Sequence, residues 1–168
     1  MARWKILLLG LISWLIGIFV VYFALRPVYV DTQVDILYVE YSTLIQVGDI
    51  DSIKYVLESL KWHPRLWLLI VCMLGLSYGL PSYVMARLEV SSQISNVLIF
   101  WFVAAVLDVA ATSDELLRVI HNDPSYLLLV PLILATIFIF AKLGHQARNL
   151  ELRRSNKALQ PSAASGAG

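Results

Sequence analysis

The amino-acid sequence predicts an all-α integral membrane protein with four transmembrane helices in an antiparallel bundle. Of its 168 residues, 59% are hydrophobic and 15% are charged, and the mean hydropathy is +0.73. A soluble domain is about half apolar and a quarter charged. The apolar residues form four runs, each close to the roughly 20 residues that a helix needs to cross a bilayer. The formal net charge of +1 offers no basic face, so nucleic acid is not an expected partner.

The predicted spans follow one another along the chain. Residues 1–25 contain a short basic tail and the first span, and the other spans cover residues 66–86, 94–112 and 126–143. None of the runs alternates between apolar and polar residues as the strands of a membrane barrel do, so helices are predicted. The first run is longer than the apolar part of a cleaved signal peptide and lacks a small-residue cleavage site, so we expect a retained anchor.

Lysine and arginine predict the orientation, because cytoplasmic connections are enriched in both residues. We therefore expect a multi-pass protein of the cell inner membrane with both termini in the cytoplasm. Of the 13 basic residues, eight would then lie inside, namely Arg3, Lys5, Arg87, Lys142, Arg148, Arg153, Arg154 and Lys157, and five outside, namely Arg26, Lys54, Lys61, Arg65 and Arg118.

The longest polar connection, residues 26–65, is predicted to form a small extracytoplasmic helical cap between the first two spans. In its second half, apolar residues recur at helical spacing after Asp51, which can cap a helix. These residues are Ile53, Val56, Leu57 and Leu60. In the first half, Val34–Ile45 favours a helix, whereas Val28 and Val30 alternate as in a short strand. The cap is expected on or near the outer membrane surface, where its apolar face packs on the spans or binds a partner.

Two further segments lie outside the predicted spans. Residues 113–125 are expected to form a short outer helix, because Ser113-Asp114-Glu115 provides a cap followed by acidic residues for the first turn. Residues 144–168 form a basic cytoplasmic tail, in which Gln146–Leu159 is compatible with a helical extension of the fourth span. The small residues at 161–168 are expected to lack regular structure.

Asp108 lies inside the third predicted span. A charge at the centre of a membrane helix costs about 2.5–3.5 kcal/mol, so the carboxyl is expected to face the bundle, to be protonated or to pair. Two interpretations remain open. Asp108 is either a proton, cation or partner-binding site, or a carboxyl near the interface that is hydrated or hydrogen-bonded to a neighbouring span.

Small residues four positions apart predict close helix packing, because they let two backbones approach each other. The pairs are Gly75 with Gly79 in the second span and Ser13 with Gly17 in the first. They are expected either to pack within the bundle or to mediate oligomerisation. Pro81 and Pro131 are predicted to kink their helices, since proline removes a backbone donor.

We predict no catalytic, cofactor or metal site. The sequence contains no GxSxG, HExxH or glycine-rich phosphate loop. Its single cysteine, Cys72, excludes an intramolecular disulfide. His63 and His121 are expected outside and His145 inside, so no two histidines share a depth in two spans as a haem requires.

Three functional hypotheses follow. The preferred one is a non-enzymatic accessory subunit or assembly factor of a larger membrane complex, in contact with lipid and with other membrane proteins or further copies of itself. The predicted topology also resembles the immunity proteins against pore-forming colicins of the A type, in span number, location of both ends and length. That resemblance implies an immunity or defence protein that recognises a toxin or phage component. The third hypothesis is a small transporter or channel subunit that uses Asp108.

Overall fold

The computed structural model describes residues 3–89, 95–106 and 127–159. Within these ranges the chain is 95% helical and contains no strand, so the all-α prediction is confirmed. Three helices are long and apolar enough to cross a membrane, namely Arg3–Glu40, Pro64–Leu88 and Leu129–Asn156. Only part of the third predicted span is described, as a shorter apolar helix at Ser95–Val106. Asp108 and the predicted outer helix at 113–125 lie outside the described residues.

The described helices are α1 (Arg3–Val20), α2 (Arg26–Glu40), α3 (Ser42–Val47), α4 (Ile50–Lys61), α5 (Pro64–Leu74), α6 (Leu80–Leu88), α7 (Ser95–Val106) and α8 (Leu129–Leu159). Wider π-helical turns at Val21–Leu25 and Gly75–Gly79 join α1 to α2 and α5 to α6.

Each π-helical turn ends two residues before a proline. Pro27 follows the first turn, in which the Arg26 N–H bonds to the carbonyl of Val21, and Pro81 follows the second. A proline cannot donate to the preceding turn, and a local π-helical widening accommodates the carbonyl left without its usual partner. The perturbation predicted at Pro81 therefore takes the form of a wider turn. Pro131 is the third residue of α8, in a first turn where the missing N–H costs no intrahelical hydrogen bond, and the kink expected there stays a prediction.

Residues 14–78 form one compact unit. The first helix does not end near residue 25, because α2 continues it to Glu40. The strand alternative for Val28 and Val30 is wrong, since both lie in α2. The predicted helix over Val34–Ile45 is interrupted at Tyr41, where the backbone leaves the helical region between α2 and α3. The core of this unit contains Ile36, Leu60 and Leu66, with Tyr29, Leu37 and Tyr41 packed around them.

The cap of α4 is Asp49, not the predicted Asp51. Gly48 ends α3 with a φ of 69°, a left-handed conformation that glycine adopts without a steric penalty. The Asp49 carboxylate then accepts the backbone N–H of Ser52, while Asp51 lies in the first turn. Because this hydrogen bond favours the charged carboxylate, it lowers the pKa of Asp49 below its ordinary value.

The other compact unit contains the described residues up to Ser13 and from Gly79 onward. Its described core includes Met85 and Ala86 on α6, Val97 on α7 and Ala141 on α8. At 31 residues, α8 is about 46 Å long, more than a bilayer core requires. The helical extension predicted for Gln146–Leu159 is therefore confirmed.

Candidate functional site

Glycine residues bring α6 and α8 into close contact. A Cβ atom added to Gly79 would lie 2.8 Å from the ring of Phe140, and one added to Gly144 would lie under 3.0 Å from the Tyr83 carbonyl oxygen. Neither position has room for a side chain without a shift of its neighbour. Of the predicted Gly75/Gly79 pair, Gly79 therefore contacts another helix of the same chain. The two glycines are the first and last residues of one π-helical turn.

The predicted pair in the first span divides in the same way. Within residues 14–78, a Cβ atom on Gly17 would clash with the backbone carbonyl of Leu76. Ser13 instead donates its hydroxyl to the carbonyl of Leu9, at 2.8 Å. Gly10 also packs closely, because a Cβ atom there would meet the side chain of Met85. The search for small residues four positions apart did not identify this glycine. Its spacing of seven residues from Gly17, close to two helical turns, is the sequence signal that identifies it.

A buried polar cluster lies where α6 ends and α7 begins. Glu89 and Asn96 are both buried. The Glu89 carboxylate accepts the hydroxyl of Ser95 at 3.2 Å and the backbone N–H of Asn96 at 3.5 Å. A carboxylate is favourable at a helix N-terminus, where N–H groups point outward and the helix dipole is positive. Glu89 thus caps α7 from the connection that precedes this helix. The sequence alone did not predict this role.

Two further polar contacts connect α6 to its neighbours. The indole Nε1 of Trp101 donates to the hydroxyl of Ser82 at 2.7 Å, and both residues are buried. Arg87 at the end of α6 forms an ion pair with Glu151 on α8. Trp101 lies inside the third predicted span, and its indole has a buried polar partner there. These contacts join α6 to α7 and to α8.

A third polar group fixes the corner between α4 and α5. The imidazole Nδ1 of His63 accepts the backbone N–H of Arg65 at 3.3 Å, and its Nε2 lies 3.4 Å from a carboxylate oxygen of Glu40. Trp62 and Trp67 stack with their ring centroids 5.7 Å apart. The chain therefore turns into the candidate span Pro64–Leu88 at a defined angle.

No metal site is found among the described residues. Across residues 3–89, 95–106 and 127–159, no group of three or more histidine, cysteine, aspartate or glutamate side chains is placed to hold a metal ion. Comparison of the chain with family models, curated proteins and solved structures found no match.

Proposed function

We propose that this protein is a non-enzymatic accessory subunit or assembly factor of a larger membrane complex, and that it acts through the outer faces of its spans. The supporting observation is how little of each span the chain itself covers. In each of the three candidate spans, only 17–28% of the residues in the most apolar 18-residue stretch are buried inside the chain. Because helices in lipid associate by packing rather than by hydrophobic exclusion, such faces are suited to contacts with other membrane proteins.

The helix α8 has the most clearly divided surface. Its inner side meets α6 through Phe140 and Gly144. Two outer faces remain exposed, one with Leu134 and Phe138 and the other with Ile139 and Leu143. Residues four apart lie on one side of a helix, so each pair forms a continuous apolar face. We infer that one of these faces contacts the partner and that the other faces lipid.

We also propose four crossings, with both termini on the cytoplasmic side. Gly79, directly before α6, contacts Phe140 of α8. Tyr83 and Arg87, one and two turns further along α6, meet Gly144 and Glu151, which come later in α8. The two helices therefore run in the same direction. If both cross the membrane, the chain between them has to cross it in the opposite direction. The described apolar helix Ser95–Val106 begins this return.

Cysteine accessibility in intact cells tests the four crossings. In a Cys72→Ala background, we expect a membrane-impermeant maleimide to label Asn122→Cys but not Arg153→Cys, because four crossings place these positions on opposite sides. Ser52→Cys is the outer control, and lysed cells show that every cysteine can react. Labelling of Arg153→Cys and protection of Asn122→Cys in intact cells would indicate three crossings and contradict the proposal.

Photocrosslinking in native membranes tests the contact function. A benzophenone amino acid replaces Leu134 or Phe138 on one outer face of α8, and Ile139 or Leu143 on the other. Each face is thereby the control of the other in the same helix, and Phe138 and Ile139 are the pair at nearly equal depth, about 1.5 Å apart along the axis. We expect one stoichiometric adduct of fixed mass from one face only. Adducts with lipid alone at all four positions would rule out a protein contact through α8, and adducts with the chain itself would indicate a homo-oligomer in place of a larger complex.

A further inference from the structure

The helix α4 has two adjacent apolar strips, and the chain covers one of them. Val56 and Leu60 are buried, and Leu60 belongs to the core of residues 14–78. The neighbouring strip is open, with Ile50 71% exposed, Ile53 44% exposed and Leu57 61% exposed. These three positions share one face of the helix, because they are separated by three and four residues.

Charged residues border this open strip in a defined order. At 100° per residue, Lys54 and Lys61 lie along its free edge, and Glu58 follows them further round the helix. Ser59 lies on the side opposite the strip. Lysines at the edge of an apolar face can cover apolar surface with their methylene groups while their ammonium groups remain among water and phosphates. Around the helix, an apolar strip is followed by a lysine edge and then by a polar side. This arrangement is typical of a helix that lies in a membrane interface.

The position of α4 along the chain provides a second argument. The candidate span Pro64–Leu88 begins directly after Trp62 and His63, which follow the last residue of α4. Trp62 stacks on Trp67 in the first turns of that span, and Trp67 donates its indole N–H to the carbonyl of Lys61 at 3.1 Å. Tryptophan is enriched at the headgroup level of membranes. The end of α4 is therefore anchored where this span enters the bilayer.

From these features we propose that α4 lies in the headgroup layer of the bilayer, with Ile50, Ile53 and Leu57 inserted between the upper parts of the acyl chains. Lys54 and Lys61 then face the lipid phosphates. The partner of the open strip is the lipid surface itself. This inference is independent of the protein contacts proposed for the spans, because it concerns a different helix and a different partner.

Spin labelling of the full chain in nanodiscs of phosphatidylethanolamine and phosphatidylglycerol tests this placement. In a Cys72→Ala background, labels at Ile53→Cys and Leu57→Cys report the open strip, and labels at Tyr55→Cys and Ser59→Cys are the matched controls on the polar side. Leu68→Cys, exposed in α5, provides a lipid reference, and Arg153→Cys provides an aqueous one. We expect the ratio of oxygen to nickel-chelate accessibility to be several-fold higher at positions 53 and 57 than at positions 55 and 59.

Two outcomes would overturn the proposal. Equal, water-like accessibility at all four positions would show that α4 projects into the aqueous phase. Low accessibility to both oxygen and the nickel chelate at positions 53 and 57, with or without spin–spin broadening, would show that a second copy or another part of the chain covers the strip. Because the open strip is labelled at two positions, 53 and 57, one of them can still be compared with positions 55 and 59 if the other variant fails to fold.

Discussion

Substitution of Gly144 by alanine is expected to lower the free energy of unfolding by about 1–3 kcal/mol, the usual cost of overpacking. The new Cβ atom would meet the backbone carbonyl oxygen of Tyr83, which can move only if the whole of α6 moves. The direction of the change is informative, since alanine is favoured over glycine in a helix interior by about 1 kcal/mol. A net loss of stability therefore measures the steric conflict between α6 and α8.

Gly10→Ala is the matched control for this prediction. A Cβ atom at Gly10 also comes too close to a neighbour, but that neighbour is the flexible side chain of Met85. Met85 is fully buried, so some loss of stability is expected, but an unbranched side chain repacks at lower cost than a helix backbone, and the loss should be smaller than that of Gly144→Ala. Thermal unfolding of both variants in mild detergent, followed by tryptophan fluorescence, compares them directly. Equal stabilities of Gly144→Ala and the parent protein would contradict the close approach of the two helices.

Truncation of Trp101 to alanine is expected to cost about 3–5 kcal/mol, the range measured for buried large aromatic residues. Trp101 is 9% exposed, and its loss would leave a cavity between helices and remove the indole N–H from the buried hydroxyl of Ser82. A buried hydroxyl that loses a hydrogen bond adds to the cost of the cavity. Denaturant unfolding in mixed micelles measures this loss.

The neighbouring residue in the same helix supplies the control. Phe102 is 71% exposed, so Phe102→Ala removes a side chain of comparable size that makes few contacts inside the chain. We expect its effect on unfolding to be small. If Trp101→Ala and Phe102→Ala destabilised the protein equally, this result would contradict the burial of Trp101 against α6. A smaller loss for Trp101→Phe than for Trp101→Ala would separate the hydrogen bond from the packing.

The pattern of apolar residues was sufficient to predict an all-helical chain with membrane-length helices. Length and continuous hydropathy decide this class, because a backbone in lipid has to satisfy its own hydrogen bonds. Local patterns also predicted the amphipathic helix α4, since its buried and exposed positions follow helical spacing. The continuation of the last described helix beyond residue 143, as far as Leu159, was also predictable from the sequence.

The boundaries of the elements depended on local backbone geometry that composition does not record. The sequence predicts that the first helix ends at residue 25, because the uncharged apolar run stops there, before Arg26 and Pro27, a residue without an N–H. In the structure, the π-helical turn at Val21–Leu25 absorbs the missing donor, and the helix continues to Glu40. In the same way, Asp49 rather than Asp51 caps α4, because the left-handed Gly48 sets where the new helix begins.

The sequence by itself determined that this chain forms apolar helices of membrane length, and it identified Gly17 and Gly79 as residues suited to close packing. Only the tertiary structure showed that Gly144 lies against a carbonyl of α6 and that Glu89 is buried next to the start of α7. The reason is physical. Period and hydropathy are properties of one segment, whereas a close approach or a buried carboxylate depends on residues that the fold brings together from distant parts of the chain.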